Sequence, residues 1–275
     1  MRPAISICLK LQCGSGHAAG LERTSLGGSG FGPSPAERSQ HPPRQQLVRH
    51  VHPRGFAAVV LAGGYVEAGD TGRHSMEAGD VLLHQAWESH LDRVDVRGAE
   101  VLMLALADDA ERRVAGRIAD PDGLVRLAER DERAALEHLL ANLAAKPEQP
   151  GDWPDLLARD IHDQPMLCLE AWADAHGLHP GSVSRGFRQV FGLTPAAYRL
   201  AQRTGRVMRA IRGSNRPLSS IAQDWGFADQ AHMNRSVRRL AGVTPAALRG
   251  TDTCAAEASL AGREWTTPGP CSPLD

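Results

Sequence analysis

Two groups of residues in this 275-residue chain have side chains and spacings suited to chemistry. The first is a block of arginines. Between Met166 and Gly250 there are twelve arginines, no lysine and four acids (Glu170, Asp174, Asp224, Asp229), giving +8, while the whole chain carries −1 and the remainder therefore −9. A guanidinium can grip a phosphate or make a paired contact to guanine, so a basic block on an acidic remainder suggests a polyanionic partner. Charge by itself is weak evidence, because arginine-rich faces are often simply solvated. The second is a scatter of histidines in the first half. Three imidazoles brought together suit zinc or a similar divalent ion and leave a coordination position open, although a lone strand histidine is more often structural.

Other chemistries find little support. The five cysteines (Cys8, Cys13, Cys168, Cys254, Cys271) form no C-x-x-C pair, which argues against a disulfide framework and a thiolate zinc site. No apolar run approaches the roughly 18 residues of a membrane helix. Lys10 interrupts the short apolar start, so a secretion signal is not expected. There is no nucleophile–base constellation. "GGSGFG" at 27–32 has no flanking strand and helix to make it a phosphate loop.

The arginines sit in a repeat. "GLHPGSVSRGFRQVFGLTPAAYR" (177–199) is echoed by "GFADQAHMNRSVRRLAGVTPAALR" (226–249). Ala173 and Gly177 align with Ala222 and Gly226. After a gain of one residue, Arg185, Arg188 and Gly192 align with Arg235, Arg238 and Gly242, and Thr194-Pro195-Ala196-Ala197 aligns with Thr244-Pro245-Ala246-Ala247. Each copy predicts a short helix, a glycine turn, a second helix ended by glycine and a Thr-Pro restart. That is a helix-turn-helix. On a wheel of 100° per residue, Val183, Phe187 and Val190 face inward in the first copy, and Met233, Val237 and Leu240 in the second. The opposite faces carry Gly181, Arg185 and Arg188 beside Ser182, and Ala231, Arg235, Arg238 and Arg239 beside His232. Small residues let such a helix sit deep in a major groove, and arginine reads base edges there.

At these residues the chain resembles the AraC family DNA-binding domain, with "PAAYRLAQRTGRVMRAI" as the helix linking its two units. The resemblance covers about 85 residues and implies double-stranded DNA as partner, with RNA polymerase as a second partner for an activator. Carried over by position, it implies base contacts from Gly181, Ser184 and Arg185, and from Gln230, Ala231, His232 and Arg235. Gly181 and Ala231 have little to donate. Ser182, Arg188 and Arg238 are expected at the flank, the two arginines on phosphates. Val237 stands where the family usually has Phe, which predicts a slightly smaller second core.

The first half has a different texture. "FAAVVLAGG", "DVLLH" and "EVLMLAL" predict strands, with "AGDTGR" and "EAGDV" as turns. Residues 50–94 resemble the cupin sensor domain of many AraC-type regulators. That resemblance implies a small effector inside a barrel, or dimerisation. A metal cupin uses H-x-H, a Glu and a later His; His50, His52 and His90 fit, but the Glu position falls on Ala57. His84 is an alternative third ligand at poor spacing. Tyr65 and Trp87 line a pocket or fill a core.

The expected organisation is α+β and multidomain: a disordered tail (1–45), a cupin-like β-barrel (46–107), a helical connector (108–165), an all-α double helix-turn-helix domain (166–250) and a second disordered tail (251–275). In the connector, Leu124, Leu127, Ala128, Ala135, Leu139 and Leu143 recur at helical steps, predicting a helix that joins the domains or pairs with its twin in a homodimer. The functional expectation is a cytoplasmic, sequence-specific transcription regulator with no membrane contact. The alternative is a metal-dependent cupin enzyme with an appended helical region, which is expected to keep the carboxylate that Ala57 replaces.

Overall fold

Residues 36–106, 115–147 and 151–250 are described by the structure, a computed structural model. The expected tails at 1–35 and 251–275 lie outside them. The first half is one antiparallel sheet of eight strands: β1 (Glu37–His41), β2 (Gln46–Val51), β3 (Phe56–Gly69), β4 (Gly72–Glu77), β5 (Asp80–His84), β6 (Ser89–Ala105), β7 (Ala115–Arg117) and β8 (Ala144–Ala145). The long strands β3 and β6 pair with each other and change partners half-way. β3 holds β5 at one end and β4 at the other; β6 holds β1 and β2 in the same manner. Register shifts between Val60 and Ala62 and between Gly63 and Tyr65 mark bulges, which bend a strand and increase its twist. The curled sheet brings Ala58, Val60, Leu82 and Val101 against Tyr65, Met76 and Val94 in one inner core.

Side chains alternate across a strand, so Ala57, Val59, Val81, Leu102 and Leu104 lie on the other face. They are covered by α1 (Pro121–Ala128) and α2 (Glu132–Asn142). The single connector helix expected here is therefore two. Asp131 breaks it by accepting a hydrogen bond from the Ala134 N–H (3.0 Å), which caps a new helix. The apolar stripe buries on the sheet through Leu124, Ala128, Ala135, Leu139 and Leu143, so those residues are not available to a twin helix. The connector also supplies β7 and β8, and β1 lies inside the expected N-terminal tail. "ERSQH" has no apolar alternation to announce a strand; backbone pairing to Ala99–Met103 creates it.

The second half is helical: α3 (Trp153–Asp163), α4 (Leu169–Ala175), α5 (Pro180–Phe191), α6 (Pro195–Arg212), α7 (Leu218–Asp224), α8 (Gln230–Ala241) and α9 (Pro245–Gly250). The four glycines matched in the repeat, Gly177, Gly192, Gly226 and Gly242, all have φ between +64° and +75°, the left-handed conformation that stops a helix cheaply only at glycine. Thr194, Asp229 and Thr244 cap the following helices by accepting from Ala197, His232 and Ala247 N–H groups. His179 caps α5 by accepting from Gly181 N–H (3.1 Å), a role its residue type does not advertise. Val183, Phe187, Met233, Val237 and Leu240 are buried and Val190 is half-buried, as the wheel requires. Unit one (α4, α5) shares its core with α3 through Leu157, Ala158 and Ile161. Unit two (α7, α8) packs on the C-terminal half of α6 through Val207, Met208 and Ile211.

Candidate nucleic-acid interface and sensor cavity

α5 and α8 occupy equivalent places in the two units and turn their arginines outward. Arg185, Arg188, Arg235 and Arg238 are exposed and make no hydrogen bond or ion pair among the described residues. Most other arginines of the basic block are engaged within the protein. Arg199 donates to Leu167 O, Arg203 to Gly226 O (3.0 Å), Arg209 to Ala86 O (2.7 Å), Arg212 to Pro53 O (3.2 Å) and Arg249 to Arg216 O (2.7 Å); Arg216 also pairs with Asp224. The +8 of this region is thus divided between holding α6 in place and facing solvent. Around the free arginines, Ser182, Gln230 and Ala231 are exposed, and Gly181, Ser184 and His232 half-exposed. Every residue expected to approach DNA lies on α5 or α8 with some exposure.

The histidines gather at one end of the inner face of the sheet. His50 on β2 stands opposite His90 on β6 in the ladder, with ring centroids 4.3 Å apart; His52 follows on the same face, 5.0 Å from His50. The three predicted residues are brought together, their donor atoms within 4.8 Å of one another. The structure adds His84, which spacing disfavoured, and Glu67, which spacing did not offer. His84 on β5 lies 4.7 Å from His90 between ring centroids, and Glu67 on β3 faces His84 at 3.4 Å. Glu67, His84 and His90 form a second trio that shares His90 with the first. Glu67 thus brings a carboxylate to His84 and His90, in a trio separate from His50 and His52. Ala57 points to the opposite face, under α1 and α2, where a carboxylate has no access to the histidines. Motif spacing misses Glu67 because it depends on β3 bulging and curling back.

These groups line a cavity of about 280 Å³, with Phe56, Tyr65 and Met103 among its apolar walls. Burial pushes His84 down to about 3 and His52 and His90 well below the ordinary histidine value, with neighbouring imidazoles acting in the same direction. Burial pushes the Glu67 carboxyl well up and Asp92 up to about 7. At neutral pH the imidazoles are neutral, the form that binds metals. His90 Nδ1 is buried with no hydrogen-bond partner. The donor set fits a divalent transition ion. Trp87 is not part of this cavity: it is 1% exposed and buries against the unit-two core, whereas Tyr65 lines the cavity.

Residues 172–251 match a family model described as a helix-turn-helix domain. The C-terminal region is an AraC-type helix-turn-helix domain. The chain is a DNA-binding transcription regulator. Among solved structures, unsaturated-fatty-acid-bound ToxT from Vibrio cholerae is similar over 78% of this chain and 94% of its own, at 8% identity and a TM-score of 0.37. The C-terminal domain of AraT, a response regulator from Geobacillus stearothermophilus, is similar over 32% of this chain and 74% of its own, at 24% identity and a TM-score of 0.30. The C-terminal domain of the response regulator YesN from Fusobacterium nucleatum is similar over 34% and 95%, at 20% identity and a TM-score of 0.32. No curated protein matches. No helix of the described residues is long and apolar enough to cross a membrane.

The AraC-type domain is fastened to the sheet by residues that no motif announces. Arg49, 5% exposed, donates from Nε to Phe191 O (2.9 Å), from Nη1 to Ser89 O (2.6 Å) and Oγ (2.9 Å), and from Nη2 to Ala68 O (2.7 Å). Arg93 donates to Gln189 O (3.0 Å) and Val190 O (3.1 Å). Two guanidiniums thus meet the last carbonyls of α5, which lack partners within their helix and carry the negative end of its dipole. Tyr198 and Gln202 on α6 donate to Gly69 O and Asp70 O, both at 2.7 Å. Trp87 presses on α6 at Gly205, where an added Cβ meets the Trp87 carbonyl oxygen at 2.5 Å, so only glycine fits. The only sequence signal for this interface is an arginine beside a cavity residue on each of β2 and β6, with no role that its neighbours explain.

Proposed function

We propose that the chain is a sequence-specific regulator whose hold on double-stranded DNA is set by a small effector in the sheet cavity. α5 and α8 enter successive stretches of the major groove. Arg185 and Arg235, near the N-terminal ends of their helices and opposite the core residues, read bases. Arg188 and Arg238, a turn later, contact phosphates. The observation that carries this reading is the pairing of exposed, uncommitted arginines at equivalent positions of two repeats, while most neighbouring arginines are bonded inside the protein. With chromosomal DNA as its target, the protein works in the cytoplasm. RNA polymerase is its further partner where it activates, and two chains side by side on a paired site form the homodimer. The test is selection of duplexes from a random pool by the full-length protein, followed by Arg235→Ala and Arg238→Ala on single-base variants at two salt concentrations. The first substitution is expected to relax preference at one position at a cost of roughly 1–3 kcal/mol. The second is expected to weaken all variants alike and lower the salt slope by about one. Equal weakening of every variant by both overturns the division of roles; no enrichment of any sequence overturns the reading itself.

A metal-dependent enzyme is the second reading, and one observation favours it: Glu67 stands with His84 and His90 as a carboxylate beside two imidazoles, where Ala57 offers none. Against it, the bonds from Arg49 and Arg93 to the C-terminal end of α5 have a use in the regulator reading and none in the enzyme reading.

A further inference from the structure

Two carboxyl groups stand side by side in the wall of the cavity. Glu67 on β3 and Asp92 on β6 are partners in the ladder, so they share a face, and both line the cavity. Glu67 is buried; Asp92 is 7% exposed, and its Oδ1 is buried with no hydrogen-bond partner. His90, two residues away on the same face of β6, is 4% exposed and its Nδ1 also lacks a partner. His50 Nδ1 meets Val48 O (2.8 Å); a carbonyl only accepts, so Nδ1 donates and the neutral ring keeps Nε2 as an acceptor. Like charges directly opposite each other repel, and a buried carboxylate oxygen without a hydrogen bond costs free energy. A positive group with N–H donors relieves both. No side chain of the protein supplies it: Arg38, the one arginine or lysine in the wall among the described residues, is half-exposed and donates from Nε to Glu100 (3.1 Å). Arg49 is engaged on the other face of the sheet, with the carbonyls of Phe191, Ser89 and Ala68. The cavity volume of about 280 Å³ lies just below the roughly 300 Å³ at which pockets for drug-sized molecules begin, so its occupant is small.

We infer that the effector of this cavity is a small organic ammonium ion with an apolar body, its nitrogen between Glu67 and Asp92 and its body against Phe56, Tyr65 and Met103. The inference rests on the regulator reading and names the ligand class of its cavity. An ammonium brings three N–H donors and a positive charge to a group of acceptors, and charge-assisted bonds of this kind are about twice as strong as neutral ones. Phe56 and Tyr65 add aromatic rings, whose faces attract a cation within about 6 Å. A carboxylate ligand meets like charge here, and an alcohol leaves the two carboxyls uncompensated. Along β6, His90 and Asp92 alternate with Leu91 and Arg93, Leu91 in the core of unit one and Arg93 on the α5 carbonyls, so the strand that holds the amine also holds α5.

The experiment titrates the full chain, with chelator present, with benzylamine, cyclohexylamine and butylamine, each beside the alcohol and the carboxylic acid of the same skeleton, and reads binding by calorimetry. At least one amine is expected to bind, tenfold or more tighter than its alcohol, and the acids are expected not to bind. Asp92→Asn and Glu67→Gln are expected to weaken the amine tenfold or more and to close the gap between amine and alcohol, which a merely structural defect does not do. His138→Ala, exposed on α2, is expected to leave both unchanged. DNA affinity measured with and without the amine is expected to change fivefold or more. Binding of no amine, or an alcohol or acid that binds as tightly as its amine, overturns the ligand class. An amine that binds and leaves DNA affinity unchanged overturns its role as effector. In both cases sequence-selective DNA binding by the ligand-free chain, measured in the same assay, shows that the regulator reading stands; its loss in every condition shows that this reading has failed instead.

Discussion

The two helix-turn-helix units have nearly the same sequence pattern and different surroundings. Unit one is held from behind: Arg49 and Arg93 meet the end of α5, Ala68 and Leu91 enter its core, and α3 closes its flank. Unit two is reached through Ala86 and Trp87, which pack against α6. The difference teaches that duplication supplies two units of one pattern while the sheet holds the recognition-position helix of unit one directly. Under the proposed function, unit one is then the reader that an effector in the sheet adjusts, and unit two the standing anchor on DNA.

The strongest way to break this comparison is to remove the wedge. Trp87→Ala deletes a fully buried indole shared by both halves and is expected to cost about 4 kcal/mol of stability, read as a shift of the denaturant midpoint. A loss under about 1 kcal/mol means that unit two does not lean on the sheet. Next is Arg49→Met, which leaves carbonyls of Phe191, Ser89 and Ala68 without their donor. It is expected to cost about 3 kcal/mol and to raise hydrogen exchange in α5 more than in α8. Equal exchange in the two helices erases the asymmetry.

A smaller effect comes from Asp92, behind Leu91 and Arg93. Burial raises its carboxyl to about 7, so the folded protein holds a proton that the unfolded chain has already lost above about pH 4. Stability from this group is therefore greatest below about pH 4, falls as pH rises from there to about 7, and levels off above. Between about pH 5 and pH 8 the fall is expected to be between about 2 and 3 kcal/mol, and Asp92→Asn is expected to remove it from urea titrations at the two pH values. The last test separates the readers by coupling. Arg235→Ala is expected to weaken DNA binding by roughly 1–3 kcal/mol whether it is made alone or together with Arg49→Met, whereas the effect of Arg185→Ala is expected to shrink when Arg49→Met is also present. Additive costs for both arginines show two equally independent units.

The reading units are legible in the chain because their determinants are local. A glycine at positive φ, a Thr-Pro cap and a 3.6-residue apolar step act within a few residues, and duplication printed them twice. His50, His52 and His90 are legible as a set only through the resemblance to a cupin motif; the pairing of β2 with β6 is what stands His90 opposite His50. Glu67 and His84 are not, because their approach depends on how far β3 bulges and which half of it meets β5. Strand β1 is silent in the sequence because it is held by backbone hydrogen bonds, which leave no mark on side-chain pattern. The helicity of the connector shows in its apolar steps but its break at Asp131 does not, because that residue reads equally as a solvated charge or a cap.

By itself, then, the sequence determined that this protein carries two helix-turn-helix units, where their helices stop and which arginines face outward. Only the tertiary structure decided that His50, His52 and His90 come together with a fourth histidine and a glutamate, that Trp87 is a wedge and not a pocket wall, and that Arg49 and Arg93 tie the cavity's strands to one recognition helix. The physical reason is range. Helix ends and strand faces are set by torsion angles and hydrogen bonds a few residues apart, whereas an arginine at position 49 finds the carbonyl of residue 191 only after the sheet has curled and α5 has docked on its back.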